Sequence, residues 1–226
     1  MTGFRRVRSY VLRQGRMSEA QRRSYETLGP LFCVNSDTPQ GALDFTGLFG
    51  NTSPVIVEIG FGMGIATALI AEANRDLNYL GIEVHRPGIG RLLWEIENRE
   101  LKNIRIIEGD AAEVLEARVK EHSVKAFHIF FPDPWPKKRH QKRRLVTRPF
   151  TDLLASRLVP GGYIYMVTDW AAYGDWALRE LLATPGLANK YEAFAPRQTW
   201  RPETKFESKG LMKNHEIREL YFVQTE

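Results

Sequence analysis

The segment Pro54-Val55-Ile56-Val57-Glu58-Ile59-Gly60-Phe61-Gly62-Met63-Gly64 constrains the fold more than any other. A β-branched run ends at a carboxylate, three glycines follow at alternate positions, and a helical pattern opens at Ile65. That order is strand, tight turn and helix, the opening unit of a nucleotide-binding α/β sheet. Glycine lets the backbone turn sharply and approach a ligand with no Cβ in the way. A dinucleotide fingerprint needs Gly-x-Gly-x-x-Gly. Counted from Gly60, the place of its third glycine holds Ile65, so the pattern is Glu-x-Gly-x-Gly-x-Gly instead.

The rest of the chain alternates. Further strands are expected at Leu77–Glu83, Asn103–Ile107, Val124–Phe131 and Tyr163–Thr168, with a closing pair at Tyr191–Phe194 and Ile217–Val223. Helices are expected after Ile65, from Pro87 to Arg99, Ala111 to Lys120, Pro149 to Leu158 and Ala171 to Leu182. Such alternation implies a mostly parallel sheet covered on both faces, with ligands bound outside the carboxyl ends of the strands. Glu58, Glu83, Asp110 and Asp133 all fall at or just past such an end. Four carboxylates on one rim repel one another unless they face a ligand rich in donors or positive charge. Glu83 follows Gly64 by 19 residues, the distance at which an acid accepts from ribose hydroxyls.

Charge is concentrated rather than spread. The net +5 arises from two basic blocks. Residues 1–30 carry seven arginines against Glu19 and Glu26; residues 134–151 carry Lys137, Lys138, Arg139, Lys142, Arg143, Arg144 and Arg148 with no acid. Two such blocks predict an anionic partner. Residues 1–36 read as a basic, flexible arm, although arginine and serine enrichment is shared with organelle transit segments. Residues 37–226 read as one domain, entered through a Pro/Gly/Asn-rich linker up to Pro54. The single Cys33 excludes an internal disulfide, and His85, His122, His128, His140 and His215 show no ligand spacing, so no metal is expected. No apolar run reaches the ~18 residues of a membrane span. A cytoplasmic monomer is the expectation.

The second basic block opens with Phe130-Phe131-Pro132-Asp133-Pro134-Trp135-Pro136-Lys137-Lys138-Arg139-His140. Three prolines stiffen a loop that holds a carboxylate, an indole and a cationic cluster. An indole can stack on a base for ~1–3 kcal/mol, and the cations suit phosphates.

These motifs have a counterpart. Glu-x-Gly-x-Gly-x-Gly resembles the first motif of class I S-adenosylmethionine (SAM) methyltransferases. Asp133-Pro134-Trp135-Pro136-Lys137-Lys138-Arg139-His140, with Thr204-Lys205-Phe206-Glu207 and the arm Arg8–Arg16, resembles the bacterial tRNA (guanine-N7)-methyltransferase family. The resemblance implies a Rossmann-like, doubly wound, mostly parallel seven-stranded sheet with helices on both faces and an antiparallel C-terminal strand. It implies methyl transfer from SAM to N7 of guanosine 46 in the variable loop of tRNA. Carried over by motif, Glu58, Glu83, Asp110 and Asp133 bind SAM, above the loop of Gly60, Gly62 and Gly64; Asp133 is also the catalytic candidate. Lys137, Asp169, Thr204, Lys205, Phe206 and Glu207 contact the substrate, with Glu207 preferred for the guanine edge. Lys209 departs from the arginine that the family often carries there, keeping the charge without the bidentate fork. Three rivals remain at this stage. A nicotinamide-dependent oxidoreductase would share the sheet and Glu83. A methyltransferase acting on another base or an exocyclic amine would share the Asp-Pro-aromatic run. A non-catalytic tRNA-binding protein would share the basic blocks.

Overall fold

A computed structural model describes residues 8–11, 15–34, 41–212 and 215–225. Seven strands form one sheet: β1 (Val55–Ile59), β2 (Asn78–Glu83), β3 (Ile104–Glu108), β4 (Val124–Phe130), β5 (Leu158–Thr168), β6 (Leu187–Asn189) and β7 (Arg218–Gln224). Their order is β3-β2-β1-β4-β5-β7-β6. The first five run parallel, and β7 is antiparallel to both β5 and β6. The sheet is therefore mixed and mostly parallel, as the alternation implied. The chain's direction across the sheet reverses between β1 and β4. That reversal opens a crevice beyond their carboxyl ends, the usual ligand position in such folds.

Among the described residues, eight α-helices accompany the strands: α1 (Glu19–Phe32), α2 (Phe45–Phe49), α3 (Ile65–Ala73), α4 (Arg86–Asn98), α5 (Ala111–Arg118), α6 (Arg148–Arg157), α7 (Ala171–Leu182) and α8 (Lys205–Met212). Every residue of β1 is buried, because helices cover both faces of a central parallel strand. Val55, Val57 and Ile59 join one apolar cluster with Phe127, Phe150 and Leu154. Ile56 joins the other, with Ile70, Leu92 and Leu93. Glu58 shares the second face and is 2% exposed, a carboxylate inside the core.

Helix α1 departs from the flexible arm expected over residues 1–36. Ser18 and Gln21 form a reciprocal capping box, Gln21 Oε1 accepting from Ser18 N at 2.8 Å and Ser18 Oγ accepting from Gln21 N at 3.2 Å. The Ser-x-x-Gln spacing was a readable start signal. Its apolar side chains Tyr25, Leu28 and Phe32 pack on the Ile56 cluster. The contact is made possible by Gly90, where a Cβ would lie 2.5 Å from the Gln21 carbonyl oxygen.

Other boundaries shift for local reasons. The linker before Pro54 contains α2, capped by Asp44 and stopped by Gly50 at φ 72°. Strand β5 begins at Leu158 rather than Tyr163, since the Pro160-Gly161-Gly162 turn is absorbed as an irregularity in its pairing with β4. The closing pair uses Leu187–Asn189 instead of Tyr191–Phe194; among the latter's neighbours only Ala195 makes a bridge, to Glu219.

Gly90→Ala should force α1 off α4 at a cost of about 1–3 kcal/mol, the usual range for overpacking. Limited proteolysis checks it: cleavage within Glu19–Phe32 should accelerate while the sheet core stays protected.

Candidate active site

The glycine loop is held by a carboxylate and by a close helix. Gly60, Gly62 and Gly64 have φ of 72°, 60° and 68°, a region that side chains disfavour. Space is open where a Cβ would stand on Gly60 and Gly62, so the loop forms a cradle on the ligand side. Behind it, a Cβ on Gly88 of α4 would lie 1.9 Å from the Gly62 carbonyl oxygen. Gly88 and Gly90 lie two residues apart, on nearly opposite sides of the helix. One admits the cradle and the other admits α1.

Glu83 ends β2 and ties this cradle to the next loop. Its Oε2 accepts from Gly62 N at 2.8 Å, and its Oε1 accepts from Val84 N at 2.7 Å and His85 N at 3.1 Å. A carboxylate offers about four lone-pair sites, so capacity remains for a hydroxyl donor. Asp110 caps α5 through Oδ1, which accepts from Ala112 N at 2.9 Å and Glu113 N at 3.3 Å. Tyr10 lies against Asp110: its phenol pKa is raised by burial first and by the Asp110 charge second.

Glu58 differs from the others in its environment. Burial lifts its carboxyl pKa to about 7, the Glu83 charge adds to the rise, and the Thr67 side chain opposes it. Even so, Glu58 Oε2 and Thr67 Oγ1 both fall outside hydrogen-bond geometry with any partner. An orphaned buried acceptor beside an open glycine cradle fits a ligand that brings donors or positive charge.

A cleft of about 220 Å³ reaches Gly60 and Glu83, while Glu58, Gly62 and Gly64 lie outside its lining. It is lined by Gly60 and Glu83 on one side, by Phe131, Pro132 and Asp133 on the other, and by Ser9 and Tyr10 above. The strand-end acids Glu83 and Asp133 are thus brought to one cavity, with Asp110 on its neighbouring rim. Sequence reasoning placed the arm as a partner-binding element and missed Ser9 and Tyr10 as cleft walls. The only sequence cue was an aromatic set among arginines.

The loop after β4 is locked. Phe131 and Trp135 adopt φ of 51° and 43°, uncommon for such bulky residues. The Trp135 indole N–H donates to the Ser9 carbonyl at 2.9 Å, and the Arg143 guanidinium lies 4.9 Å from its ring centre. Arg144 is buried between Tyr173 and Trp176, and its Nε donates to Pro134 O at 3.0 Å. Arg148 pairs with Asp152 and donates to Ala183 O. The seven cations of this block therefore divide. Arg144 is buried in the fold, Arg143 lies over Trp135 and the exposed Arg148 is tied to α6 and α7, while Lys137, Lys138, Arg139 and Lys142 stay exposed.

The substrate candidates occupy a second area. Asp169 follows β5, with its Oδ2 3.5 Å from His215 Nδ1. Thr204 Oγ1 accepts from Glu207 N at 3.1 Å, starting α8. The side chains of Lys205, Phe206 and Lys209 lie outside the described residues. Glu207 is 3% exposed, and both its oxygens are engaged by Arg201, at 2.6 and 2.8 Å. In this structure that carboxylate faces the core, where the expected role would have it face a guanine edge. The sequence hid this because Lys205 and Lys209 make the segment look solvated.

A doubly wound sheet, a glycine cradle and acids on the strand ends define the SAM-dependent methyltransferase class. The fold is shared with a 16S rRNA methyltransferase, KamB, at a TM-score of 0.61 and 11% identity, covering 83% of this chain and 100% of that one. Residues 52–220 match a family model described as "Putative methyltransferase". A Nitrosospira multiformis protein is 49% identical over 218 residues, 96% of this chain and 94% of its own. A Dechloromonas aromatica protein is 48% identical over 221 residues, 97% of this chain and 89% of its own. Both are named tRNA (guanine-N(7)-)-methyltransferase. The chain belongs to the tRNA (guanine-N7)-methyltransferase family.

Glu58 yields a signed pH test. Its folded pKa, about 7, lies above its ordinary 4.5, so the folded state holds a proton that the unfolded chain releases. Stability must then fall as pH rises from about 4.5 to 7 and stay lowered above that window. Glu58→Gln should raise the Tm of the ligand-free protein at pH 8, make little difference at pH 4.5, and weaken SAM binding in calorimetry. A variant no more stable at pH 8 would show that burial of the charge carries no penalty.

Proposed function

We propose that this chain transfers a methyl group from SAM to N7 of guanosine 46 in the tRNA variable loop, as a cytoplasmic monomer. The observation that carries the reading is one cleft that brings Gly60 and Glu83 to Asp133, with the exposed cations Lys137, Lys138, Arg139 and Lys142 following Asp133 in the chain. That arrangement sets a cofactor subsite against a polyanion-binding surface.

SAM supplies the methyl group on a sulfonium; the guanine N7 lone pair forms the new bond, the sulfur keeps the electron pair of the old one, and S-adenosylhomocysteine results. N7 carries no proton, so the chain needs no general base at that atom. The residues then have positional and electrostatic tasks. Glu83 accepts from ribose hydroxyls with the lone pairs that the backbone leaves, and Asp110 accepts from the adenine amine. Glu58 faces the cationic part of the cofactor. Asp133 borders both the cofactor cleft and a hollow lined by Trp135 and Pro136. From there it holds base and sulfonium in line and stabilises the positive charge passing to the imidazole ring.

Guanine's Watson–Crick edge offers two donors, N1–H and the 2-amino group, and a carboxylate complements them. Asp169 takes that role here, because Glu207 is occupied by Arg201. Lys137 and its exposed neighbours take phosphates. The target guanine leaves its stack at a cost of a few kcal/mol, offset by those phosphate contacts.

Methyl transfer from labelled SAM to unmodified tRNA transcripts, followed by nucleoside digestion, tests the reading. The expected product is 7-methylguanosine, lost when guanosine 46 is replaced; another methylated nucleoside would overturn the assignment. Asp133→Asn should lower the single-turnover rate about 10²–10³-fold, the range seen when one preorganised charge-stabilising group is lost. An unchanged rate would remove Asp133 from the chemistry. Arg139→Ala should weaken tRNA binding and reduce its log–log salt slope by about 1.

A further inference from the structure

The chain leaves the sheet after Ala195, whose N–H donates to Glu219 O at 2.7 Å, and returns at Glu219 itself. Between these paired residues lies α8. What ties this excursion at its base is Arg201. Its Nη1 donates to Glu207 Oε2 at 2.6 Å, and its Nη2 donates to Glu207 Oε1 at 2.8 Å and to Glu219 Oε1 at 2.7 Å. The guanidinium is 1% exposed. Glu219 is completed by the Tyr165 hydroxyl and by Gln198 N. Arg197, half exposed, adds a second cation to Glu207 at 3.3 Å. The preceding Trp200 stacks on the buried ring of His128 at 4.8 Å and lies 5.2 Å from Tyr165. Two consecutive residues, Trp200 and Arg201, thus nail the leading leg of the excursion to β4, β5 and β7.

The far side of α8 meets the rim. A Cβ on Gly210 would stand 3.0 Å from the Asp169 Cβ, so helix and carboxylate are in close contact. The Gly210 carbonyl accepts from His215 N at 2.9 Å, and His215 faces Asp169. A tilt of α8 about its base would shift Thr204 and Gly210 against Asp169, which is anchored at the end of β5.

We propose that Arg201 is the positioning residue of the tRNA-facing part of the site, a planar fork that clamps α8 to β7 and thereby sets Asp169 and Thr204 for the guanine. Glu207 acts in this clamp as the helix's own anchor and serves the substrate through it. The inference rests on the functional reading for its substrate and on the contacts above for its geometry. The chemistry favours arginine: one planar group satisfies a bidentate carboxylate and a second carboxylate at once. Lysine keeps the charge and loses the fork.

Arg201→Lys is the test, read in four ways on the full chain. Melting temperature should fall modestly, because the lost fork weakens buried hydrogen bonds, while SAM affinity should stay near wild type. Amide exchange across residues 205–212 should quicken, with β1 and α4 unaffected. The KM for tRNA should rise about 10–100-fold, the scale on which a misplacement of ~1 Å is felt, with a smaller change in kcat. Glu219→Gln should reproduce the exchange change in milder form. An unaltered tRNA KM, or a parallel loss of SAM affinity, would overturn the clamp. If wild-type protein forms no 7-methylguanosine while α8 exchange still quickens in Arg201→Lys, the clamp stands and the substrate assignment falls.

Discussion

The carboxylate of Glu83 is the interaction on which the site depends. It accepts three backbone N–H groups, one from the glycine loop after β1 and two from the loop after β2. Hydrogen bonds to an ionised acceptor are about twice as strong as neutral ones, so a single side chain sets the relative position of two loops. The geometry is possible only because α4 comes within van der Waals range of the loop at Gly88. The helix closes the rear of the cradle, Glu83 fixes its edge, and the ligand side stays open. The same bonds that fold the loop therefore hold Glu83 at the edge of the cleft.

Charge is distributed by the same logic of occupied and available partners. Among the described acids, Glu95 is held by Arg91 and Arg99 and Glu219 by Arg201; both belong to the fold. Among the cations of the loop after β4, Arg144 is sandwiched by Tyr173 and Trp176. Counting charge in the sequence overstates what a polyanion meets, because some cations are internal. The remainder, from Lys137 to Lys142, decorates a 3-10 helix at Lys138–Arg143 that stands beside the cleft. Attraction is thus focused where the acid Asp133 also sits. Opposite charges thus stand a few residues apart on one stiff loop.

Much of this architecture was legible because its determinants are local. A β-branched run followed by glycines names β1 and its turn, and a strand-end acid needs only the strand to be found. The arm's helix was missed although Ser18 and Gln21 announce it, because its burial depends on Gly90, some seventy residues away in sequence. Trp135 was legible as an aromatic in a stiff loop, but its N–H bond to Ser9 joins residues 126 apart in the chain. Glu207 was legible as a carboxylate in a motif; its orientation was not. A residue flanked by lysines reads as solvated until Arg201, equally charged and equally deep, supplies the partner that makes burial affordable.

A buried arginine between two carboxylates is an expensive way to hold a helix. Desolvating three charges costs several kcal/mol per ion, and well-packed apolar side chains would often give equal or greater stability. What the ionic version adds is orientation. An apolar contact tolerates sliding and rotation, whereas a planar fork admits one arrangement of the carboxylate it grips. Methyl transfer to a ring nitrogen requires no proton to be moved, so little of the rate can come from acid–base groups. Alignment of donor and acceptor and the field along the line between them must supply it instead. A site of that kind benefits most from rigid, directional supports. The carboxylate of Glu83 at the glycine loop and, in the proposed clamp, the guanidinium of Arg201 beneath α8 are two such supports, one built from backbone donors and the other from a side-chain fork.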